Sequence, residues 1–339
     1  MSNIVITGGG TGGHLSVAKA IAEELLKEGI KPIYIGSING QDREWFEDSP
    51  LFKETYFFDS RGVVNKKNPI NKIKALTKLI RLSSKCREIF RQKDVDRVFS
   101  VGGFSAAPAS LATLFSKTKL YIHEQNSRIG SLNRLLKPYA KGFFSSYYSS
   151  SPIKDYPVSD IFFEYSRLRD EVRTILFLGG SQGAKFINDL ALNLASDLKR
   201  KNIHIIHQCG AKEYERVMSE YEKLGVEAEV YAFSKEIWEL MRKADFAISR
   251  SGAGSLWELS ANALPAFYIP YPYAASNHQY YNALFLEKKG AAFLSYQADV
   301  KREEIFKIID GGVKQQSERL KELVHSGGAR KIVEYMLTR

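Results

Sequence analysis

Cysteine and long apolar runs are scarce in this sequence, and each scarcity excludes a class of protein. The two cysteines among 339 residues, Cys86 and Cys209, lie far apart and have no CxxC spacing. They support neither a disulfide framework nor a cysteine-based zinc site, which fits a reducing compartment. No stretch approaches the roughly 18 apolar residues of a membrane span, and the first residues lack the basic segment of a secretory signal. We expect a protein that is neither secreted nor integral to a membrane.

Proline is also rare. With 10 prolines, 25 glycines, 44% hydrophobic and 26% charged residues, the composition is typical of a folded globular protein and excludes long disorder or fibrous repeats. A domain usually has roughly 100 to 200 residues, so this length predicts about two domains.

Acidic residues are scarce in the first half only. Residues 1–150 contain 23 Lys and Arg against 13 Asp and Glu, whereas residues 151–339 contain 26 against 25. This asymmetry favours an anionic partner for the first half, either nucleic acid or an anionic membrane surface, although a basic surface without a partner is the alternative.

The basic excess concentrates between Arg61 and Arg97, where lysine and arginine alternate with apolar residues at helical spacing. The pattern favours an amphipathic helix at anionic lipid headgroups, and a core helix with a solvated basic face is the alternative. Sparse aromatic residues disfavour RNA, so we expect no nucleic-acid partner. The residues predicted to contact the membrane are Lys72, Ile73, Leu76, Leu79 and Ile80.

Short apolar strands that end at glycine or polar loops recur along the chain and predict an α/β fold with a parallel sheet in each half. A helix is predicted from about Ser16 to Glu28, with Gly29 as its C-cap. We interpret residues 149–173 as the linker and expect a final helix after Gly327 to return to the first domain. The predicted strands are 3–7, 31–36, 98–101, 120–123, 174–178, 204–207, 229–232, 246–249 and 266–269.

The loop from Gly8 to His14 follows the first strand and formally satisfies GxGxxG. Its glycines would let backbone N–H groups at a helix start approach an anion. A dinucleotide site also needs an acidic residue at the end of the second strand, but that strand ends Gly36-Ser37. His14 can accept a proton near neutral pH, or it can be a capping or packing residue.

Polar groups follow other predicted strands at the end where open α/β sheets bind ligands. They form the segments 102–105 and 123–126 in the first half, which we expect to converge with His14 in one cleft unless they only bond their own loops. In the second half, Ser249–Ser255 leads into a helix carrying Glu258, an arrangement suited to a diphosphate and a ribose. Glu258 can also be a solvated surface carboxylate. We interpret Asp94 and Asp96 as solvated loop charge rather than a metal-binding pair, and we expect no metal site.

Six segments occur in the order and spacing of the MurG family, which the whole chain therefore resembles. This resemblance implies two Rossmann-like domains facing across a cleft, the B-type glycosyltransferase fold. The acceptor domain would be 1–158 with a returning helix at about 326–339, and the donor domain would be 159–325. The segments are GGGTGGH (8–14), GGFSAAP (102–108), HEQN (123–126), GGSQGA (179–184), SRSGAGSLWE (249–258) and HQxxNA (278–283).

The resemblance implies an inverting transfer of N-acetylglucosamine from UDP-N-acetylglucosamine to the C4 hydroxyl of the muramoyl unit of lipid I, giving lipid II in peptidoglycan synthesis. It implies no cofactor and a peripheral location on the cytoplasmic face of the bacterial membrane. His14 would be the leading candidate for the general base and Glu124 a weaker one. Acceptor contacts would come from Gly10, Gly103, Phe104 and Ser105. Donor contacts would come from Thr11, Gly12, Gly13, Asn126, Ser181, Gln182, Phe233, Ser234, Gly254, Ser255, Glu258, Gln279 and Asn282.

The sequence departs from the family pattern at two places. The usual Asn-Pro-Val-Arg is here Tyr156-Pro157-Val158-Ser159, so a basic residue near the donor phosphates is missing, and Arg167 or Arg250 is a candidate to replace it. The acidic residue frequent before the His-Gln pair is Ser276. The alternatives are a B-type glycosyltransferase with a soluble acceptor and a non-catalytic nucleotide sensor.

Overall fold

The structure is a computed structural model that describes residues 2–62, 69–179 and 184–339. The chain forms two compact units. Unit 1 comprises Met1–Val158 and Gly327–Arg339, and unit 2 comprises Ser159–Ser326.

Unit 1 contains a parallel sheet in the order β3-β2-β1-β4-β5-β6. Its central strands read as continuous apolar runs because helices cover both faces, and Ile4, Val5 and Ile6 are fully buried. The strands are β1 (Ile4–Thr7), β2 (Ile33–Ser37), β3 (Glu54–Phe58), β4 (Arg97–Ser100), β5 (Lys119–His123) and β6 (Gly142–Phe144).

Within the described residues of unit 1, five α-helices connect these strands. The first begins at Gly12, so the predicted start at about Ser16 is wrong: the last two glycines of the loop already belong to the helix. Its predicted end is confirmed, because Gly29 has φ +73° and Ile30 N–H donates to Leu25 O. The helices are α1 (Gly12–Lys27), α2 (Asp42–Phe46), α3 (Pro69–Gln92), α4 (Ala107–Ala112) and α5 (Ser131–Leu136).

Unit 2 contains a second parallel sheet, in the order β12-β11-β10-β7-β8-β9. When its strands are numbered within the unit, this is the same 3-2-1-4-5-6 order as in unit 1, which is the dinucleotide-fold order. The prediction of two Rossmann-like domains with parallel sheets is confirmed. The strands are β7 (Thr174–Leu178), β8 (His204–Gln208), β9 (Ala228–Tyr231), β10 (Phe246–Ser249), β11 (Ala266–Tyr268) and β12 (Phe293–Leu294).

The segment 149–173 is not a free linker along its length, and that interpretation is wrong for its second part. Arg169 is 1% exposed and its guanidinium donates to the carbonyl oxygens of Met241 and Ala244 inside unit 2. The helices of this unit are α6 (Ile161–Glu164), α7 (Lys185–Arg200), α8 (Tyr214–Lys223), α9 (Ile237–Lys243), α10 (Ala253–Ala261), α11 (His278–Glu287), α12 (Arg302–Gly311) and α13 (Lys314–Leu323).

The last helix, α14 (Gly328–Thr338), belongs to unit 1 and packs against α1. Arg97 Nε donates to Met336 O at 2.8 Å, and Lys331 pairs with Asp155 at 2.6 Å. None of the helices in the described ranges combines the length and apolar character needed to cross a bilayer.

The long helix α3 has two different halves. Its second half is a core element in which Leu82, Cys86 and Phe90 are buried. In its first half, Ile73 is 63% and Ile80 62% exposed, with lysines between them. The second half is thus the core helix that the alternative interpretation expected, while contact of the exposed first half with a membrane stays a prediction.

Candidate active site

The glycine loop after β1 packs directly on the loop after β4. A Cβ at Gly8 would lie 2.4 Å from Gly102 O, and one at Gly103 would lie 2.4 Å from Gly9 O. Gly9 N–H donates to Gly102 O at 3.2 Å. Any larger residue would separate the two backbones, so glycine is required for this contact.

Asp42, at the start of α2, holds the same loop from the other side, and no motif in the sequence indicated this residue. The carboxylate is fully buried and accepts hydrogen bonds from Gly10 N–H at 2.7 Å and Ser37 N–H at 3.1 Å. The Gly10 N–H is therefore already bonded within the protein and is not available to a bound substrate. Phe104 covers the Cα of Gly10, where a Cβ would lie 2.6 Å from the ring.

His14 lies in the first turn of α1, at the edge of this loop, and is partly exposed. Its Nδ1 is 3.0 Å from the Oγ1 of Thr11, which is the N-cap residue but makes no capping hydrogen bond. The ring also lies against Gly102, where a Cβ would be 3.7 Å from its Cδ2. The predicted convergence of His14 with segment 102–105 is thus present within unit 1.

The HEQN segment begins with the last residue of β5, and its first three residues are buried. Glu124 is 3% exposed, and its carboxylate accepts from Asn126 N–H, Gly130 N–H and Asn133 Nδ2, at 2.9 to 3.0 Å. Burial raises the pKa of Glu124, and these hydrogen bonds oppose that rise. Both carboxylate oxygens therefore hold their own loop. This is the alternative stated above, in which the polar groups of this segment only bond their own loop.

The neighbouring residues have different exposures. Asn126 is partly exposed and next to Glu124. Ser105, by contrast, is fully buried, and its hydroxyl has no hydrogen-bond partner in the described part of the chain. Burial lowers the pKa of His123 to about 3, with a smaller contribution from the charge of His14, so His123 is neutral.

In unit 2, polar residues gather at the carboxyl ends of β8, β10 and β11. Gln208 is 4% exposed, and its Oε1 accepts from Ser234 N–H at 3.0 Å; the neighbouring Phe233 is 45% exposed. The Gln279 Oε1 accepts from Tyr271 N–H at 2.9 Å, and Asn282 Nδ2 donates to Ser251 O at 3.3 Å.

The start of α10 carries the other predicted donor residues. Gly254 is buried in the first turn, and Ser255 and Glu258 are partly exposed. The helix starts at Ala253 after the N-cap Gly252, which makes no side-chain capping bond. Ser181 and Gln182, predicted near the diphosphate, lie outside the described residues.

Arg250 and Arg167 were both candidates for the missing basic residue, and their surroundings differ. Arg250 is 8% exposed, with Nη1 donating to Ile269 O and Pro270 O and Nη2 to Gln297, while its Nε has no partner among the described residues. Burial lowers the pKa of Arg250 to about 10, so it stays charged. The Arg167 guanidinium instead bonds Asp245 and backbone carbonyls just before β10, at the amino ends of the strands of unit 2.

The pair Asp94 and Asp96 lies before β4, at the opposite end of the sheet from the glycine loops. Asp96 Oδ1 accepts from Asn3 N–H at 2.9 Å, and the Asp96 carboxylate also pairs with Arg97. Across the described ranges no group of three or more His, Cys, Asp or Glu side chains is arranged to hold a metal ion.

Comparison with known proteins covers both units. The family models described as glycosyltransferase family 28 N-terminal and C-terminal domains match residues 4–145 and 174–335. A protein of Campylobacter fetus is 54% identical over 335 residues, 98% of this chain and 99% of the relative. Its name is UDP-N-acetylglucosamine–N-acetylmuramyl-(pentapeptide) pyrophosphoryl-undecaprenol N-acetylglucosamine transferase. A Wolinella succinogenes protein of the same name is 49% identical over 99% of this chain and 100% of the relative.

A solved structure agrees with this match. The crystal structure of Acinetobacter baumannii MurG superposes with a TM-score of 0.80 and 25% identity, covering 100% of both chains.

Proposed function

Since the chain belongs to glycosyltransferase family 28, we propose that it transfers N-acetylglucosamine from UDP-N-acetylglucosamine to lipid I, giving lipid II and UDP. The observation that carries the proposal is the likeness to relatives named for this transfer, at about half identity over almost the whole chain. The matched region includes both units, so it covers both the unit proposed to bind the donor and the unit proposed to bind the acceptor.

The donor binds unit 2. Backbone groups of Phe233 and Ser234 would meet the uracil, Glu258 the ribose, and Gln279 and Asn282 the sugar. The diphosphate would lie at the start of α10, near Gly254 and Ser255, with Ser181 and Gln182 of the GGSQGA segment as further contacts. Arg250 supports this placement, because it is a buried guanidinium at the carboxyl end of β10 whose Nε–H has no partner among the described residues, which favours an anion there.

The acceptor binds unit 1, beside His14. In the tautomer in which His14 Nδ1–H donates to Thr11 Oγ1, Nε2 is the basic atom that removes the proton from the C4 hydroxyl. The oxygen then attacks the anomeric carbon, the bond from that carbon to the UDP oxygen breaks, and the configuration inverts. Glu124 is the weaker base, because both its oxygens already accept hydrogen bonds.

The leaving diphosphate gains negative charge as the bond breaks. Helix N-terminal N–H groups of α10 and the Arg250 cation would stabilise that charge. Closure of the protein on both substrates would exclude water that would otherwise hydrolyse the donor.

The direct test is to incubate the protein with labelled UDP-N-acetylglucosamine and lipid I and to isolate the lipid product. Label in lipid II, with UDP released in equal amount, is the expected result. Release of labelled sugar without lipid product would contradict the proposal, and transfer only to a water-soluble acceptor would assign a different glycosyltransferase reaction.

The exposed first half of α3 would hold the protein on the cytoplasmic face of the membrane. Its exposed apolar residues Ile73, Leu76 and Ile80 are flanked by exposed Lys72, and Leu79 is half-buried beside them. Apolar side chains can enter the headgroup region while lysines meet anionic lipid. The nearby Lys66 and Lys67 lie outside the described residues.

Vesicle binding tests the membrane proposal. Each lysine near an anionic surface contributes about 1 kcal/mol, so reversing Lys72 and Lys74 to glutamate should weaken binding to phosphatidylglycerol vesicles roughly tenfold or more. The matched control reverses the exposed Lys212 and Lys314 of unit 2. Equal binding by both double variants would contradict a membrane role for α3.

A further inference from the structure

The carboxylate of Asp42 is buried between the glycine loop, the end of β2 and the segment before α2. It is 0% exposed, and three glycines pack around it. A Cβ would lie 2.6 Å from the Asp42 carboxylate at Gly9, 2.8 Å at Gly36 and 3.1 Å at Gly40. No side chain larger than hydrogen fits at these positions without displacing the carboxylate or its immediate neighbours.

The partners of Asp42 are backbone amides and one phenol. Oδ2 accepts from Gly10 N–H at 2.7 Å, and Oδ1 accepts from Ser37 N–H at 3.1 Å. Tyr34 Oη lies 3.1 Å from Oδ1 and 2.9 Å from Gly8 O, so its single proton serves both acceptors. Burial and the Asp42 charge raise the pKa of Tyr34 well above its usual value, which keeps the phenol a donor.

The carboxylate has no Lys, Arg or His partner among the described residues. A buried carboxylate is strongly unfavourable unless hydrogen bonds compensate it, so the loop amides must stay turned toward it. Asp42 thereby fixes the conformation of Gly10, whose φ is +87°, one residue before the Thr11 that bonds His14.

This arrangement also answers the question that the GxGxxG pattern raised. In a dinucleotide site the acidic residue near the second strand must reach the ribose hydroxyls. Here the acidic residue near β2 is Asp42, but it is enclosed and its oxygens are occupied. The loop from Gly8 to His14 therefore packs on a carboxylate of the protein itself, and Asp42 is not available to bind a ribose.

We propose that Asp42 is a positioning residue of the acceptor site, which holds the loop from Gly8 to Thr11 in the shape that places His14 for proton removal. This inference rests on the proposed function for the identity of the acceptor. It assigns Asp42 no contact with either substrate.

The test is Asp42→Asn, which keeps the size of the side chain but turns an NH2 group toward one of the two backbone N–H donors. Loss of a charge-assisted hydrogen bond corresponds to roughly 10- to 100-fold, so kcat/KM for lipid I should fall by about that factor. KM for UDP-N-acetylglucosamine should change by a clearly smaller factor, because most of the proposed donor contacts lie in unit 2, which is untouched. The matched control is Glu44→Gln, which removes an exposed carboxylate from the same helix and should leave all constants unchanged.

A second variant covers the case in which Asp42→Asn does not fold. Tyr34→Phe removes one donor and leaves both backbone bonds, so it should lower kcat/KM for lipid I several-fold with the same donor KM. Acceptor constants within twofold of wild type for the folded Asp42 variant, or for the Tyr34 variant if only that one folds, would overturn the inference. So would a donor KM that rises as much as the acceptor KM.

Hydrogen exchange separates this inference from the proposed function. The Gly10 amide should exchange at least about tenfold faster in Asp42→Asn than in wild type, whatever the wild-type protein catalyses. If wild type makes no lipid II, the proposed function fails while the exchange result still decides whether Asp42 holds the loop. An unchanged Gly10 exchange rate would overturn the positioning role.

Discussion

The loop after β1 in unit 1 and the loop after β10 in unit 2 start from corresponding edges of two sheets with the same strand order, yet the charges buried at the two loops are opposite. Unit 1 buries the Asp42 carboxylate beneath its glycine loop, and unit 2 buries the Arg250 guanidinium. In a low-dielectric surrounding each charge is felt strongly nearby. Because the fold is shared, the buried charge is the feature that supports unit 2 over unit 1 in the proposed assignment of the donor.

The two charges also differ in how completely they are bonded. Asp42 accepts a backbone N–H at each oxygen, while Arg250 keeps an Nε–H without a partner in the described ranges. A satisfied group stabilises the protein's own loop, whereas an unsatisfied buried donor is stabilised when a ligand supplies an acceptor. This difference favours a structural role for Asp42 and a ligand-binding role for Arg250.

The largest expected effect tests the chemistry assigned to unit 1. His14→Ala should lower kcat by about 10²- to 10⁴-fold, the usual contribution of a general base, and should leave KM for UDP-N-acetylglucosamine nearly unchanged. Steady-state kinetics with both substrates measures the two constants. Thr11→Val is the comparison variant, since it removes only the hydroxyl beside Nδ1 and should cost roughly tenfold or less.

A His14 variant with wild-type kcat would end its assignment as the base. A rise in donor KM as large as the fall in kcat would move the nucleotide toward unit 1 and break the contrast between the units.

The next effect tests the buried cation of unit 2. Arg250→Met should raise KM for UDP-N-acetylglucosamine by roughly 10- to 100-fold, because a charge-assisted hydrogen bond to the diphosphate is lost. Arg167→Met is the matched control, since its guanidinium bonds Asp245 and carbonyls of its own unit, and it should leave donor KM within about twofold. Direct UDP binding by calorimetry gives the same comparison without the acceptor. If Arg250→Met and Arg167→Met raised donor KM equally, burial would not be what distinguishes the two arginines.

The sequence was enough to predict both sheets and the ends of most strands. Strand, glycine turn and helix recur with apolar runs long enough to recognise, as at Thr174–Leu178 and Phe246–Ser249. Strands β6 and β12 have three and two residues and no recognisable pattern, and β3 is half-buried along its length. Short or half-buried strands are formed by their neighbours in the sheet, which a local pattern does not contain.

The candidate site was predictable where its residues lie in motifs at the carboxyl ends of strands, as for His14 and Gly102, but not where a residue outside the motifs supports them. Asp42 meets Gly10 across 32 residues through a backbone N–H, so no residue type marks the contact. From the sequence alone Arg250 and Arg167 are equal candidates, and only their burial and hydrogen bonds in the structure distinguish them. A positioning residue whose partners are main-chain groups leaves no signature in the sequence.

A smaller effect tests the proposed nucleotide site of unit 2 through Gln208. Gln208→Met removes the acceptor for Ser234 N–H while keeping the side-chain volume. A neutral hydrogen bond corresponds to about 1 kcal/mol, so donor KM should rise roughly fivefold with kcat unchanged. Glu236→Gln, at an exposed position in the same loop, should change neither constant. A fall in kcat without a change in donor KM would remove Gln208 from the donor site.

The smallest effect concerns stability rather than catalysis and compares one buried histidine in each unit. Burial lowers the pKa of His123 in unit 1 and of His207 in unit 2 to about 3. The unfolded chain, with a histidine pKa of about 6.5, then binds more protons between those values, so stability falls as pH is lowered. Each histidine should account for about 2 kcal/mol of the loss between pH 7 and 5.

Replacing each ring by phenylalanine separates this titration from packing. His207 bonds Tyr221 Oη and Asn188 Oδ1, both at 3.0 Å, so His207→Phe leaves two buried polar groups unpaired and should destabilise unit 2 at pH 7. His123 Nδ1 has no partner in the described part of the chain, so His123→Phe should cost less. Urea unfolding at pH 7 and 5 should show a flatter pH dependence for both variants. A dependence as steep as that of wild type would mean that the ring concerned is protonated in the folded protein, which its burial without a compensating acid argues against.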